Sequence, residues 1–166
     1  MAMTIAVVLH NIRSVHNVGS IFRTADAAGV EKVYLCGITP APHDRLGNLR
    51  KDFAKVALGA EKSVAWESIS DIRDFLKRLK KEGWTILALE QSKRAVSLMA
   101  EDLMSDISKD VRCRQIALVV GNEVEGIPPA ILKLADTVIE IPMLGKKESL
   151  NVSVAFGIAA YQLRFL

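Results

Sequence analysis

The chain has 166 residues, of which 50% are hydrophobic and 25% charged, with a formal net charge of +3. That length suits one domain, and the balance is that of a folded, water-borne protein, excluding disordered and low-complexity chains. The longest nearly uncharged stretch, from Asn151 onward, is broken by Asn151, Ser153 and Gln162 and falls short of the roughly 18 apolar residues of a membrane span. The N-terminus has no basic region ahead of an apolar one, so no signal peptide is read and a cytoplasmic location is expected.

In chain order, β-branched runs predict strands at 5–9, 32–36, 63–66, 84–89, 116–120 and 137–141. Helices are expected between them. The first spans 18–28, with Asn17 as its N-cap, Gly29 just past its end, and Ile21, Phe22, Ala25 and Ala28 on one face. A second spans 69–82, with a possible capping box in Ser68-Ile69-Ser70-Asp71, a stripe of Ile69, Ile72, Phe75, Leu76 and Leu79, and a stop at Gly83. A last helix begins near Asn151, with Ser149 or Asn151 as its cap. Apolar strands each followed by a helix define an α/β fold, a mostly parallel sheet with helices on both faces. Ligands in such sheets bind outside the carboxyl ends of strands, which points to the segments after Leu9, Leu89, Val120 and Ile141. Glycines in them, Gly19 and Gly121 among others, would let backbone N–H groups approach a ligand.

Several chemistries are disfavoured by what these segments lack. There is no G-x-G-x-x-G fingerprint, no G-x-S-x-G elbow, and Gly121 to Gly126 is followed by Ile127-Pro128 where a P-loop needs Lys and Ser or Thr. Cys36 and Cys113 have no paired spacing, and His10, His16 and His43 form no ligand cluster, so reduced thiols and no metal are expected. The basic run Lys77, Arg78, Lys80, Lys81 is diluted by Asp71, Asp74 and Glu82 and reads as a solvated helix face.

Singly, Asn17, Arg23, Glu123, Ser149 and Asn151 have ordinary readings as caps or surface charges. In order they form a pattern. Asn11-Ile12-Arg13-Ser14, Asn17-Val18-Gly19-Ser20 and Arg23-Thr24-Ala25-Asp26 resemble the first motif of the SpoU, or TrmH-type, RNA ribose methyltransferases of the SPOUT superfamily. Val119-Val120-Gly121-Asn122-Glu123-Val124-Glu125-Gly126-Ile127 resembles the second. Ile141-Pro142-Met143 through Ser149-Leu150-Asn151-Val152-Ser153-Val154-Ala155 resembles the third.

The resemblance implies a single catalytic domain over 1–166, a C-terminal trefoil knot despite the general rarity of threaded chains, a homodimer, and S-adenosylmethionine as methyl donor to a ribose 2′-hydroxyl of RNA. It carries over Leu89, Gly121, Ile141 and Leu150 as cofactor contacts. It also implies Arg23 as the group acting on the hydroxyl, with Asn17, Glu123, Ser149 and Asn151 orienting it, the ribose and the cofactor loops. Arg13 and Arg23 are the candidate RNA contacts. The segment 37–82 carries no family motif. Lacking an added RNA-binding domain, the chain resembles the small tRNA-modifying members, so tRNA is favoured over rRNA and recognition is expected from the domain itself or a partner subunit. The alternative, a non-catalytic RNA-binding domain of the same fold, would predict loss of Arg23, Glu123 or Asn151, and all three are present.

Overall fold

The computed structural model describes residues 3–101 and 114–165; Cys113 lies outside them. Seven strands form one sheet: β1 (Thr4–His10), β2 (Lys32–Cys36), β3 (Ala65–Ile69), β4 (Thr85–Leu89), β5 (Val96–Ser97), β6 (Gln115–Val120) and β7 (Thr137–Glu140). Their order is β3-β2-β1-β6-β4-β7-β5, and every pairing is parallel. Parallel neighbours need crossovers, and here these carry α1 (Val15–Ala27), α2 (Lys51–Ala57), α3 (Ala60–Ser63), α4 (Ile72–Lys81) and α5 (Pro129–Leu132), before α6 (Val152–Arg164) closes the chain.

Side chains alternate between two cores. Ile5, Val7 and Leu9 of β1 and Ile116, Leu118 and Val120 of β6 face the core under α1, α2 and α6, whereas Val8, Ala117 and Val119 face the one under α4 and α5. Both faces are therefore covered, and β1 is buried from Ile5 to His10.

Local differences from the sequence reading have physical causes. The first helix starts at Val15, not 18, because Ser14 is the N-cap and its hydroxyl accepts the Asn17 N–H; Asn17 is a helical residue, not the cap. Gly29 does take the left-handed conformation after the helix, at φ 64°. Gly19 opens no ligand pocket. It is buried inside α1, where an added Cβ would lie 3.1 Å from Val56 Cβ and 3.2 Å from the Phe53 carbonyl oxygen, so glycine permits α1 and α2 to touch. Phe22 and Phe53 meet edge to face across that contact, 5.1 Å apart.

The strand expected at 63–66 lies at Ala65–Ile69, since Ser63 ends α3. The expected 69–82 helix is Ile72–Lys81, because Ile69 ends β3 and the cap is Asp71, whose carboxylate accepts the Arg73 and Asp74 N–H groups. Its basic residues are largely tied down, Lys77 to Asp74 at 3.4 Å, Arg78 to Glu82 at 3.8 Å and Lys80 to Asp136 at 2.7 Å. Cys36 is buried in β2, and desolvation pushes its thiol up to about 12. No helix among the described residues is long and apolar enough to cross a membrane.

Candidate active site

The loops leaving β4, β6 and β7 meet at the carboxyl edge of the sheet and enclose a pocket of about 410 Å³. Leu89, Gly121, Ile141 and Leu150 all line it, as do Asn17, Glu123, Ser149 and Asn151. The volume lies within the roughly 300–1,000 Å³ of small-ligand sites. Its walls combine apolar side chains with a few convergent polar groups, a donor set suited to a nucleoside-bearing cofactor.

Glu123 organises one wall. Its carboxylate accepts the N–H of Arg13 at 3.0 Å, the N–H of Ser14 at 3.2 Å and the side-chain amide of Asn17 at 3.0 Å. Desolvation would raise this carboxyl, but these donors outweigh it and hold it below the usual glutamate range. Asn17 Oδ1 accepts in turn from Asn151 Nδ2 at 3.1 Å. Asn151 is the α6 N-cap, its Oδ1 accepting the Ser153 N–H at 2.9 Å. One chain of hydrogen bonds thus joins the β6 loop, the first turn of α1 and the start of α6.

The other walls rest on residues that were not among the candidate site residues. Glu90, following β4, accepts the Ile127 N–H at 2.7 Å and donates its own N–H to the Ile139 carbonyl at 3.0 Å, tying the start of the β4 loop to the β6 loop and to strand β7. Gly126, at φ 67°, lies directly over that carboxylate, where a Cβ would collide with it. Asn122 donates from Nδ2 to the Asn11 carbonyl at 2.7 Å and accepts the Val124 and Glu125 N–H groups, shaping the β6 loop. An acid at a strand end is a weak signal in sequence; its partners are supplied by other loops.

Gly121 has a structural reason beyond ligand approach. A Cβ there would meet Ile127 Cγ1 at 2.5 Å and the Gly126 carbonyl carbon at 2.6 Å, so the β6 loop can fold back only over glycine.

Two candidate residues are not brought into the pocket. Arg13 is exposed and contributes its backbone N–H to Glu123. Arg23 is also exposed and lines a separate depression with Asp26, Leu58 and Ser63. Six residues beyond Asn17 on α1, it lies about 9 Å along the helix and about 120° around it from the pocket-facing asparagine.

A parallel α/β sheet with its pocket built from the three loops after β4, β6 and β7, and with motif residues hydrogen-bonded across more than 100 positions, defines the class. The chain belongs to the SpoU rRNA Methylase family, whose model matches residues 4–161. It is 34% identical over 152 residues to the tRNA (guanosine(18)-2′-O)-methyltransferase of Aquifex aeolicus, covering 92% of this chain and 64% of that protein. It is 33% identical over 155 residues to the 23S rRNA (guanosine-2′-O-)-methyltransferase RlmB of Ralstonia nicotianae, covering 93% and 56%. The chain thus spans 56–64% of the length of these relatives. Among solved structures, the A. aeolicus TrmH/SpoU tRNA modifying enzyme superposes with a TM-score of 0.78 at 32% identity, over 97% of this chain and 74% of that one. An AdoMet-bound rRNA methyltransferase from Sinorhizobium meliloti gives 0.82 at 25% identity, over 99% and 57%.

Proposed function

We propose that this protein transfers a methyl group from S-adenosylmethionine to a ribose 2′-hydroxyl of RNA, with tRNA favoured over rRNA. The carrying observation is that all four carried-over cofactor positions and four of the five candidate catalytic residues line one pocket, tied together through Glu123, Asn17 and Asn151. The relatives named as tRNA and rRNA 2′-O-methyltransferases support the activity, and the structure solved with AdoMet supports the cofactor. The preference for tRNA draws on likeness to a structure described as giving insight into 2-OH methylation of C/U34 on tRNA, 26% identical with a TM-score of 0.71 over 97% of this chain and 94% of that one.

In this reading residues 1–166 form one catalytic domain, its C-terminal part knotted as in the family, working in the cytoplasm as a homodimer. Leu89, Gly121, Ile141 and Leu150 would hold the cofactor, which when bound supplies an electrophilic methyl group on a sulfonium. Asn17, Glu123, Ser149 and Asn151 orient the acceptor ribose and exclude water, the geometry from which proximity catalysis draws. A guanidinium is a donor with no acceptor site for a proton, so Arg23 is not assigned as the general base. Its role is to hold an RNA phosphate and stabilise the developing oxyanion while the proton leaves to phosphate or water. Because Arg23 does not line the pocket of its own chain, a second copy would have to bring its arginine to that pocket.

Mass spectrometry of nucleosides from RNA treated with the protein and S-adenosylmethionine is expected to find a ribose-methylated nucleoside. A 2′-deoxy substitution at the target is expected to abolish transfer and leave RNA binding largely intact, because phosphates supply most of the affinity. Methylation of the deoxy substrate would identify a base atom as acceptor and overturn the reading.

A further inference from the structure

The loop after β7 serves two neighbouring sites. At its far end Ser149 and Asn151 line the cofactor-sized pocket, and at its near end Lys146 and Lys147 line an open depression beside it. Lys93, from the loop after β4, faces the same depression, and Gln91, Ile141 and Met143 form a wall common to both. Lys146 is three residues from Ser149, at most about 11 Å of extended chain, so charge gathered here is within reach of whatever occupies the pocket.

These three lysines differ from the basic run on α4. Lys77, Arg78 and Lys80 are each paired with a carboxylate. Among the described residues Lys93, Lys146 and Lys147 form no ion pair and no side-chain hydrogen bond, although two acids, Glu140 and Glu148, line the same depression. Long cationic side chains from two loops, converging without internal partners next to a reaction pocket, fit an external polyanion. Point charges on flexible stems suit a backbone whose phosphates vary in position.

We propose that Lys93, Lys146 and Lys147 bind backbone phosphates of the RNA strand that flank the acceptor ribose, making this depression part of the substrate-binding surface. The proposal rests on the reading of RNA as substrate and adds to it where the strand runs: over the β4 and β7 loops, away from the basic face of α4.

The test is the salt dependence of binding to a total tRNA fraction by the intact protein. Each phosphate contact on a single strand contributes about 0.7 to the slope of log affinity against log salt. Combined K93Q, K146Q and K147Q substitution is expected to lower that slope by about 2, the K93R, K146R and K147R form to keep it, and K77Q with K81Q to leave it as in wild type. If the glutamine form fails to fold, K146Q alone is read, with an expected loss of about 0.7. A wild-type slope in the glutamine forms, or an equal loss in the arginine form, overturns the proposal while leaving RNA methylation standing. Absence of tRNA binding by the wild-type protein, with RNA methylation also absent, overturns both.

Discussion

Glu123 and His10 both contribute to the acid response of the fold. His10 ends β1 buried, its Nδ1 without a hydrogen-bond partner among the described residues, and desolvation lowers its pKa. Glu123 is likewise held low by its donors. In both cases the folded value lies below the unfolded one, so the stabilisation is complete above the unfolded pKa and is lost as pH falls through the folded pKa. The melting temperature is expected to decline in two stages, below about 6.5 for His10 and below about 4.3 for Glu123. His10→Gln should remove the upper stage, and Glu123→Gln should shrink the lower, which Asp44, Asp52, Glu67 and Asp71 share because their carboxyls are also held low; scanning calorimetry across pH 3 to 8 checks this, and unchanged profiles would contradict it. Gly121→Ala is expected to abolish the thermal shift given by S-adenosylhomocysteine and also to lower the ligand-free melting temperature, because the Cβ strikes Ile127.

At the scale of elements, Arg164 fastens the last helix to the opposite end of the chain. Its Nε donates to the Ala28 carbonyl at 2.9 Å, Nη1 to the Met3 carbonyl at 2.6 Å, and Nη2 to the Gly29 carbonyl. Hydrogen bonds from charged donors are worth about 1.5–3 kcal/mol, and orphaned carbonyls add a penalty. Arg164→Met is expected to cost at least about 1.5 kcal/mol, measured by urea unfolding, with Ser14→Ala losing about 1 kcal/mol through its cap. Element type was readable wherever the period was long and the ends were marked, as with the Gly29 and Gly83 stops. Boundaries moved where a distant partner intervened. β5 is two residues long and exists only as a pairing with β7, and α2 and α3 carry too few residues for a helical period to show.

At the scale of the whole molecule, the sequence presents α6 as apolar on every side, and the fold divides that surface in two. Phe156, Ala159, Ala160 and Leu163 are buried, whereas Val154, Tyr161 and Phe165 are exposed at 50%, 43% and 82%. With Ile158 these last three fall on one stripe at i, i+4, i+7 and i+11. A second copy covering that stripe is the simplest two-fold contact. Light scattering at micromolar concentration is expected to give a dimer mass, and Val154→Asp with Tyr161→Asp a monomer that has lost methyl transfer and kept its secondary structure; a wild-type monomer would contradict the proposed homodimer. Arg23→Ala is expected to reduce methyl transfer by orders of magnitude with S-adenosylhomocysteine affinity nearly unchanged, and Arg23→Lys to fail too, since an ammonium lacks the planar fork.

The sequence by itself determined the α/β class and the strand ends that would bear the site, because both follow from local period and residue type. Its second and third motifs and Asn17 of the first supply most of the residues that line the pocket, though not the wall from Leu89 to Gln91. Only the tertiary structure decided that Asn17 faces Glu123 and Asn151 instead of capping its helix, that Glu90 ties the β4 and β6 loops to one another, and that Arg23 points away from its own pocket. Those outcomes depend on groups more than 30 positions apart meeting in space, and on which side of a helix the sheet covers, neither of which is written in local sequence.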